Sequence, residues 1–313
     1  MQTILGSNGI IGQELAKALP QYTNNIRLVS RNPAAMNIAD QLVVADLTSA
    51  DQTDHAVRGS SIVYLTAGLE YKTKVWQEQW PLIMKNVINA CKKHDARLVF
   101  FDNVYLYGRV RGWMTEDTAI NPQSKKGAVR ARIAEMLMDE IEKGLLTGLI
   151  ARSADFYGLT DKSLLSPMVF SKLAAEKKAQ WLVNVQVPHS FTHVSDAGNA
   201  TAMLGNTENA YNQVWHVPTD KNALTGEAFI QRTANAFHVP AKYMVLKKWM
   251  LVMAGCFNKF INESIEMLYQ YEYEYLFDSS KFTTRFDYKP ITYKEGIIQT
   301  AQSWKQFQQK ASQ

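Results

Sequence analysis

Cysteine is almost missing from this chain: Cys91 and Cys256 are the only two in 313 residues, far apart and each inside an apolar stretch. A disulfide framework and a Cys-based metal site are thereby excluded, and reduced thiols in a cytoplasmic setting are expected. The six histidines are scattered without ligand spacing, which leaves metal catalysis unsupported. No Gly-x-Ser-x-Gly elbow occurs and neither cysteine has an activating neighbour, so hydrolytic nucleophiles of those kinds are not expected. Long apolar runs are also missing. The longest, Trp249 to Phe257, is about half the length of a bilayer-spanning helix. It reads either as lobe core or as part of a substrate cover, and no membrane partner is expected. A strand that starts at Met1 leaves no room for a signal peptide. Repeats and low-complexity linkers are not found.

What is present suits a globular chain. Hydrophobic residues make up 46% of the chain, enough for a sizeable core, and the formal charge is only +5. The basic pairs Lys92-Lys93, Lys125-Lys126, Lys177-Lys178 and Lys247-Lys248 sit on separate elements, as solvated lysines do, so no nucleic-acid partner is needed to explain them. An anionic cofactor would use part of the excess.

The first dozen residues organise the rest. MQTIL reads as a buried strand that runs into GSNGIIG, with Gly6, Gly9 and Gly12 ahead of a helix carrying Ile11, Leu15 and Leu19. Such a turn serves dinucleotide binding: one glycine leaves the strand, one lets a pyrophosphate approach the main chain, and one lets helix and strand pack closely. Asn8, Ile10 and Ile11 would then offer backbone N–H groups at the helix N-terminus. A tight structural turn would use the same three glycines.

A second strand, Ile26 to Val29, ends in Ser30 and Arg31. A hydroxyl and a guanidinium there suit a 2′-phosphate, whereas a carboxylate would suit a free ribose, so NADP is preferred and NAD is allowed. A surface arginine is the alternative. Asp46 and Leu47 close a third strand (42–45), where Asp46 either meets the adenine or caps the next helix. Thr66, Ala67 and Gly68 close a fourth (62–65), small enough to pack over the cofactor. A helix over 75–93 precedes a fifth strand (98–101) that leads to Asp102 and Asn103. A helix over 128–141 and a sixth strand ending in Arg152, Asp155, Tyr157 and Gly158 follow, with Arg152 and Asp155 as a candidate ion pair. This alternation predicts an α/β chain: a doubly wound parallel Rossmann-type sheet with a smaller, mostly helical C-terminal lobe. Residues 1–158 form the Rossmann domain, to which 193–218 return, and 159–192 with 219–313 form the substrate-binding lobe.

The turn GSNGIIG, YLYG (Tyr105 to Gly108), ADFYG (Ala154 to Gly158) and FTHVSDAGNA (Phe191 to Ala200) together resemble the extended short-chain dehydrogenase/reductase superfamily, which includes NAD-dependent epimerases and dehydratases of nucleotide sugars. The resemblance covers nearly the whole chain. It implies a serine or threonine after the fifth strand and a Tyr-x-x-x-Lys pair on the next helix. Alignment on YLYG puts Asn103 at the serine place, Gly127 at the tyrosine place and Ala131 at the lysine place. By that alignment the catalytic groups are missing. Gly127 and Ala131 leave either room for a bulkier ligand or a helix packed closer.

Substitute acids would come from Tyr105, Tyr107, Lys125 or Lys126. Lys126 and Arg130 form a cationic stripe that reads as a solvated helix edge. His193 and Asp196 read as structural groups. The resemblance implies an atypical NADP-binding oxidoreductase or epimerase-like enzyme acting on a small or sugar-like substrate, and it allows a homodimer. The alternative is a non-catalytic sensor of the NADP redox state. A third reading is a scaffold that has lost its cofactor.

Overall fold

The computed structural model describes residues 1–158 and 163–311, with side chains described as far as Lys305. The N-terminal alternation folds into β1 (Gln2–Leu5), β2 (Ile26–Ser30), β3 (Gln41–Val44), β4 (Ile62–Leu65) and β5 (Arg97–Asn103), joined by strands Gly148–Ser153 and Val214–His216. All seven pair in parallel, with Val214–His216 at one edge, then Gly148–Ser153, β5, β4, β1, β2 and β3. β1 and β4 are buried along their whole length, as central parallel strands covered on both faces must be. The strand order reverses at β1, whose Leu5 stands beside Val29 on one side and Leu65 on the other. Open parallel sheets hold ligands at the carboxyl ends of such a switch point.

Four helices flank these strands: α1 (Ile10–Ala18), α2 (Ala50–Val57), α3 (Thr73–Lys93) and α4 (Lys125–Glu142). α3 buries Trp76, Trp80, Ile83, Met84, Val87 and Cys91 at helical spacing. α4 buries Val129, Ile133, Leu137 and Ile141. It begins three residues before the expected start, because the Ser124 hydroxyl accepts the Gly127 N–H at 2.9 Å and caps it. That cap makes Lys125, Lys126 and Gly127 helical.

The chain divides into two compact units. The first comprises Met1–Gly108, Ala119–Ser153 and Ala197–Val217, and holds the whole seven-stranded sheet. The second comprises Arg109–Thr118, Ala154–Asp196 and Pro218–Gln313. The sixth strand expected to run to Gly158 is two strands: Gly148–Ser153 joins the sheet, whereas Asp155–Tyr157 pairs with Phe191–His193 in the second unit. Residues 159–162, at the expected start of the lobe, lie outside the described residues.

The second unit packs around rings. Tyr157, Phe170, Trp181, Phe191, Phe229 and Tyr293 are buried together, many of them edge to face. Alongside its helices, Ala179–Leu182 pairs in parallel with Tyr243–Leu246. The apolar run 249–257 is not lobe core: Leu251 and Gly255 are buried, but Trp249, Val252, Met253 and Phe257 are exposed.

His193 and Asp196 are structural, as expected. The His193 ring stands edge-on to Tyr157 at 5.1 Å, and its Nδ1 accepts the Ser195 N–H at 3.3 Å. Asp196 accepts from the Tyr288 hydroxyl and the Ile291 N–H, both at 2.8 Å. Burial of the carboxyl outweighs these two donors and pushes its pKa from 3.8 up to about 6. The fold therefore favours protonated Asp196. Its contribution is fully present below about pH 4 and is lost as pH rises through about 6, a difference of about 3 kcal/mol. Asp196→Asn keeps an acceptor for the Ile291 N–H and should flatten the loss of stability between about pH 4 and 6. Urea melts of both proteins across that range check this, and an unchanged slope would assign it elsewhere.

Candidate functional site

At the switch point, the glycine turn is built around close approaches. Gly6 has φ +95°, and a Cβ there would stand 2.4 Å from the Ala67 Cα, so the position requires glycine. A Cβ on Gly12 would stand 2.5 Å from the Gly6 carbonyl oxygen, and one on Gly9 would stand 3.2 Å from it. Side chains would fill this cradle. Gly68, by contrast, has no described protein atom within 4 Å of its Cβ direction and borders open space.

Thr66 ties β4 to β1 through its N–H to the Leu5 carbonyl at 2.9 Å. Asn8 Nδ2 donates to the Asn32 carbonyl at 2.5 Å, bracing the turn against the end of β2. α1 starts from Gly9 with no side-chain cap, whereas Ser49 and Ser124 cap α2 and α4. Its first N–H groups, those of Ile10 and Ile11 included, have no carbonyl one turn back within the helix. The free N–H groups and the positive end of the helix suit a pyrophosphate by charge.

At the end of β2, Ser30 Oγ accepts the Asn32 N–H at 3.1 Å. Arg31 is exposed and makes no hydrogen bond or ion pair with the described residues. Asp46 is already engaged: its Oδ1 accepts the Thr48 N–H at 2.9 Å and the Thr48 hydroxyl at 2.8 Å. The Thr48 N–H, the Thr48 hydroxyl and the nearby Arg31 charge hold its pKa below the usual carboxylate value. The helix cap is Ser49 and not Asp46. Leu47 is buried, and its carbonyl accepts from Asn86 at 3.0 Å.

Beyond β5 the polar groups form one buried network. Asp102 accepts from Arg130 Nε at 2.7 Å through Oδ1 and from Arg152 Nε at 3.2 Å through Oδ2. Arg152 also donates to the Tyr107 hydroxyl at 2.7 Å, which meets His216 Nε2 at 2.9 Å. A guanidinium only donates, so the phenol accepts from Arg152 and is free to give its own proton to Nε2. Burial would lower the Arg152 pKa, but Tyr107 and Asp102 overcome it and raise the value above that of an ordinary arginine. The expected Arg152–Asp155 ion pair does not form. Asp155 instead accepts from Tyr271 at 2.9 Å and meets His189 at 3.1 Å within the second unit.

α4 turns different residues inward from those expected. Lys126 is 0% exposed and Arg130 4% exposed, one helical turn apart, so the cationic stripe is a buried face and not a solvated edge. Lys126 Nζ donates to the Thr73 hydroxyl at 2.8 Å and lies 4.7 Å from the centre of the Tyr71 ring. The Arg130 guanidinium lies 4.6 Å from the Trp80 ring and 4.9 Å from Phe100. Gly127 opens no pocket, since a Cβ there would stand 2.5 Å from the Tyr105 carbonyl. Of the two readings of that glycine, the structure takes the closer-packed helix. Ala131, beside Arg130, is half-buried.

Asn103 Oδ1 accepts the Tyr105 N–H at 3.0 Å, and the Tyr105 ring stacks on Trp76 at 6.2 Å. Tyr105 and Lys126 thus stand beside α3 and the chain just before it, while Tyr107 belongs to the Arg152 network. Arg130, Thr73 and His216 were not singled out as site residues by sequence, although the i, i+4 spacing of Lys126 and Arg130 was visible.

Asp102→Leu removes the one carboxylate that both guanidiniums share. Stability should fall by about 3–5 kcal/mol, because two buried cations then lack a counter-charge. Chemical denaturation measures this. A loss no larger than that of a typical surface substitution would show that water or another group satisfies the arginines.

The sequence model of the NAD dependent epimerase/dehydratase family matches residues 3–217. No curated protein matches the chain by sequence. Among solved structures, a dTDP-glucose 4,6-dehydratase double mutant from Streptomyces venezuelae with NAD bound is 14% identical with a TM-score of 0.80, covering 97% of each chain. UDP-glucose 4-epimerase from Thermus thermophilus with NAD is 14% identical with a TM-score of 0.79, covering 97% of this chain and 99% of the other. UDP-glucuronic acid 4-epimerase from Bacillus cereus with NAD is 17% identical with a TM-score of 0.78, covering 98% and 99%. At these identities the likeness in structure speaks for the fold. The matched span takes in the glycine turn, α4 and the sheet as far as its last strand, and the chain belongs to the NAD dependent epimerase/dehydratase family.

Proposed function

We propose that this protein is an atypical oxidoreductase or epimerase-like enzyme that prefers NADP, accepts NAD less well, and acts on a small sugar-like substrate. The observation that carries the reading is the inward pair Lys126 and Arg130 on α4, one turn apart and adjoining the end of β5. Gly127 and Ala131 stand at the tyrosine and lysine places of the family alignment, and the inward Lys126 and Arg130, each one residue earlier, would supply the polar groups there, with Asn103 at the serine place. The glycine turn, Thr66 and Ala67 would hold the dinucleotide, and Ser30 and Arg31 would meet a 2′-phosphate.

When bound, the nicotinamide supplies hydride exchange with a carbinol carbon. The chain's own part is to hold the oxygen of that carbon and to move its proton. Lys126 carries three donors and no acceptor while charged, so it would donate to a carbonyl oxygen and stabilise developing negative charge. Asn103 would orient the same oxygen. Arg130, anchored on Asp102, fixes the helix face and sets a positive field beside Lys126.

The sugar-like substrate rests on what the similar enzymes are named for, together with the family's chemistry. A non-catalytic sensor of NADP and NADPH is the second reading. It is favoured by one observation: Lys126 is fully buried and already bonded to Thr73, as a structural plug would be.

Calorimetric titration with NADP⁺, NADPH, NAD⁺ and NADH, followed by a turnover screen on nucleotide sugars and small carbonyl compounds, separates these readings. Arg31→Asp should weaken NADPH binding by about tenfold or more and leave NADH binding nearly unchanged, as expected for loss of a charge-assisted phosphate contact. An unchanged preference would remove Arg31 from the site. Lys126→Met should lower turnover by about 10²–10⁴-fold with dinucleotide affinity retained. Tight binding with no turnover by the wild-type protein on any substrate would favour the sensor.

A further inference from the structure

The helix Lys248–Gly255 is arranged unlike a surface helix of a globular protein. Its buried positions are Leu251 and Gly255, whereas Trp249 is 64% and Met253 59% exposed. Just beyond it Phe257 is 93% exposed, and Phe260, in the helix Lys259–Ser264 that packs against it, is 60% exposed. Surface helices turn their apolar stripe to the core and their charges outward. Here large apolar side chains project from neighbouring helices, and clusters of this kind mark interaction surfaces.

The exposed charges on and beside these two helices are the lysines Lys247, Lys248 and Lys259, whereas Glu263, Glu266 and Glu272 are half-buried. Between Glu227 and Glu263 the chain carries no acidic residue, while Arg232, Lys242, Lys247, Lys248 and Lys259 all lie there. Lys247, Lys248 and Trp249 share an open surface hollow with Val183, Val252 and Met253. Lys248 is partly neutralised by Glu272 at 3.2 Å. Lys247 and Lys259 are exposed and form no ion pair with the described residues. The nearest acids in sequence, Glu263 and Glu266, are half-buried.

We infer that this face docks onto an anionic lipid surface. Aromatic and aliphatic side chains would enter the headgroup boundary while lysines reach back to lipid phosphates, the pattern of helices that lie in a bilayer interface. No described helix is long and apolar enough to cross a membrane, so the contact is peripheral. A second copy of the chain fits the charge less well. A two-fold contact would set Lys247 and Lys259 against the same lysines, while Glu263 and Glu266 are half-buried and Glu272 is already paired with Lys248. The inference is independent of the cofactor site and departs from the expectation of no membrane partner.

Vesicle flotation with the full chain tests it. Vesicles of phosphatidylcholine with about one-third phosphatidylglycerol should carry the protein, pure phosphatidylcholine should not, and added salt should release it. Lys247→Gln and Lys259→Gln should each reduce partitioning by about fivefold. Trp249→Ser with Phe257→Ser should abolish it, circular dichroism confirming that the variants remain folded. Four results would overturn the inference: no flotation with anionic vesicles, equal flotation with neutral ones, retention by soluble polyglutamate without flotation, or a dimer in sedimentation that the Trp249→Ser, Phe257→Ser variant dissociates. The third would point to an acidic protein and the fourth to a second copy.

Discussion

One carboxylate with two guanidiniums determines the arrangement beneath the candidate site. Asp102 ends β5, Arg152 lies on the neighbouring strand and Arg130 on α4, and all three are buried. A charge taken out of water must find its counter-charge or cost several kcal/mol. Strand register and the rotation of α4 about its axis are therefore fixed together: turning α4 to any other face would leave Asp102 half-answered and Arg130 in an apolar setting. The same constraint places Lys126, one turn earlier, on the inner face beside Thr73 and Tyr71. Tyr107 and His216 extend the network to the last strand, so the carboxyl ends of three adjacent strands are joined by side chains as well as by backbone.

A second constraint is steric and acts at the glycines. Gly6 stands so close to the Ala67 backbone that no side chain fits at Gly6, which ties the glycine turn to the end of β4. Gly127 lets α4 press on the carbonyl of Tyr105 and so brings the helix start down onto the segment after β5. Closeness there replaces the cavity that a missing side chain suggests. The space is taken by backbone, and the neighbouring Lys126 is turned inward.

The second unit follows different rules. Its core is a set of aromatic rings, and its buried Asp196 is held by two donors in a setting that favours the neutral acid. Two of its short helices turn large apolar groups outward, which reverses the usual arrangement of a small lobe.

The sequence by itself determined the parallel α/β alternation, the glycine turn and the helical periodicity of α3 and α4. These rest on local patterns, namely strand and helix periods and turn chemistry, which short-range sterics impose wherever they occur. Tertiary structure decided the rest. A lysine on a helix reads the same whether solvated or buried, and only packing against Tyr71 and Thr73 made Lys126 an interior group. Arg152 stands nearer in sequence to Asp155, yet parallel pairing with β5 delivered it to Asp102. Likewise an apolar run reads as core until its neighbours leave it uncovered, as at Trp249 and Phe257. Long-range partners carry no signature in local periodicity, so burial and charge pairing emerged only when the sheet brought distant strands side by side.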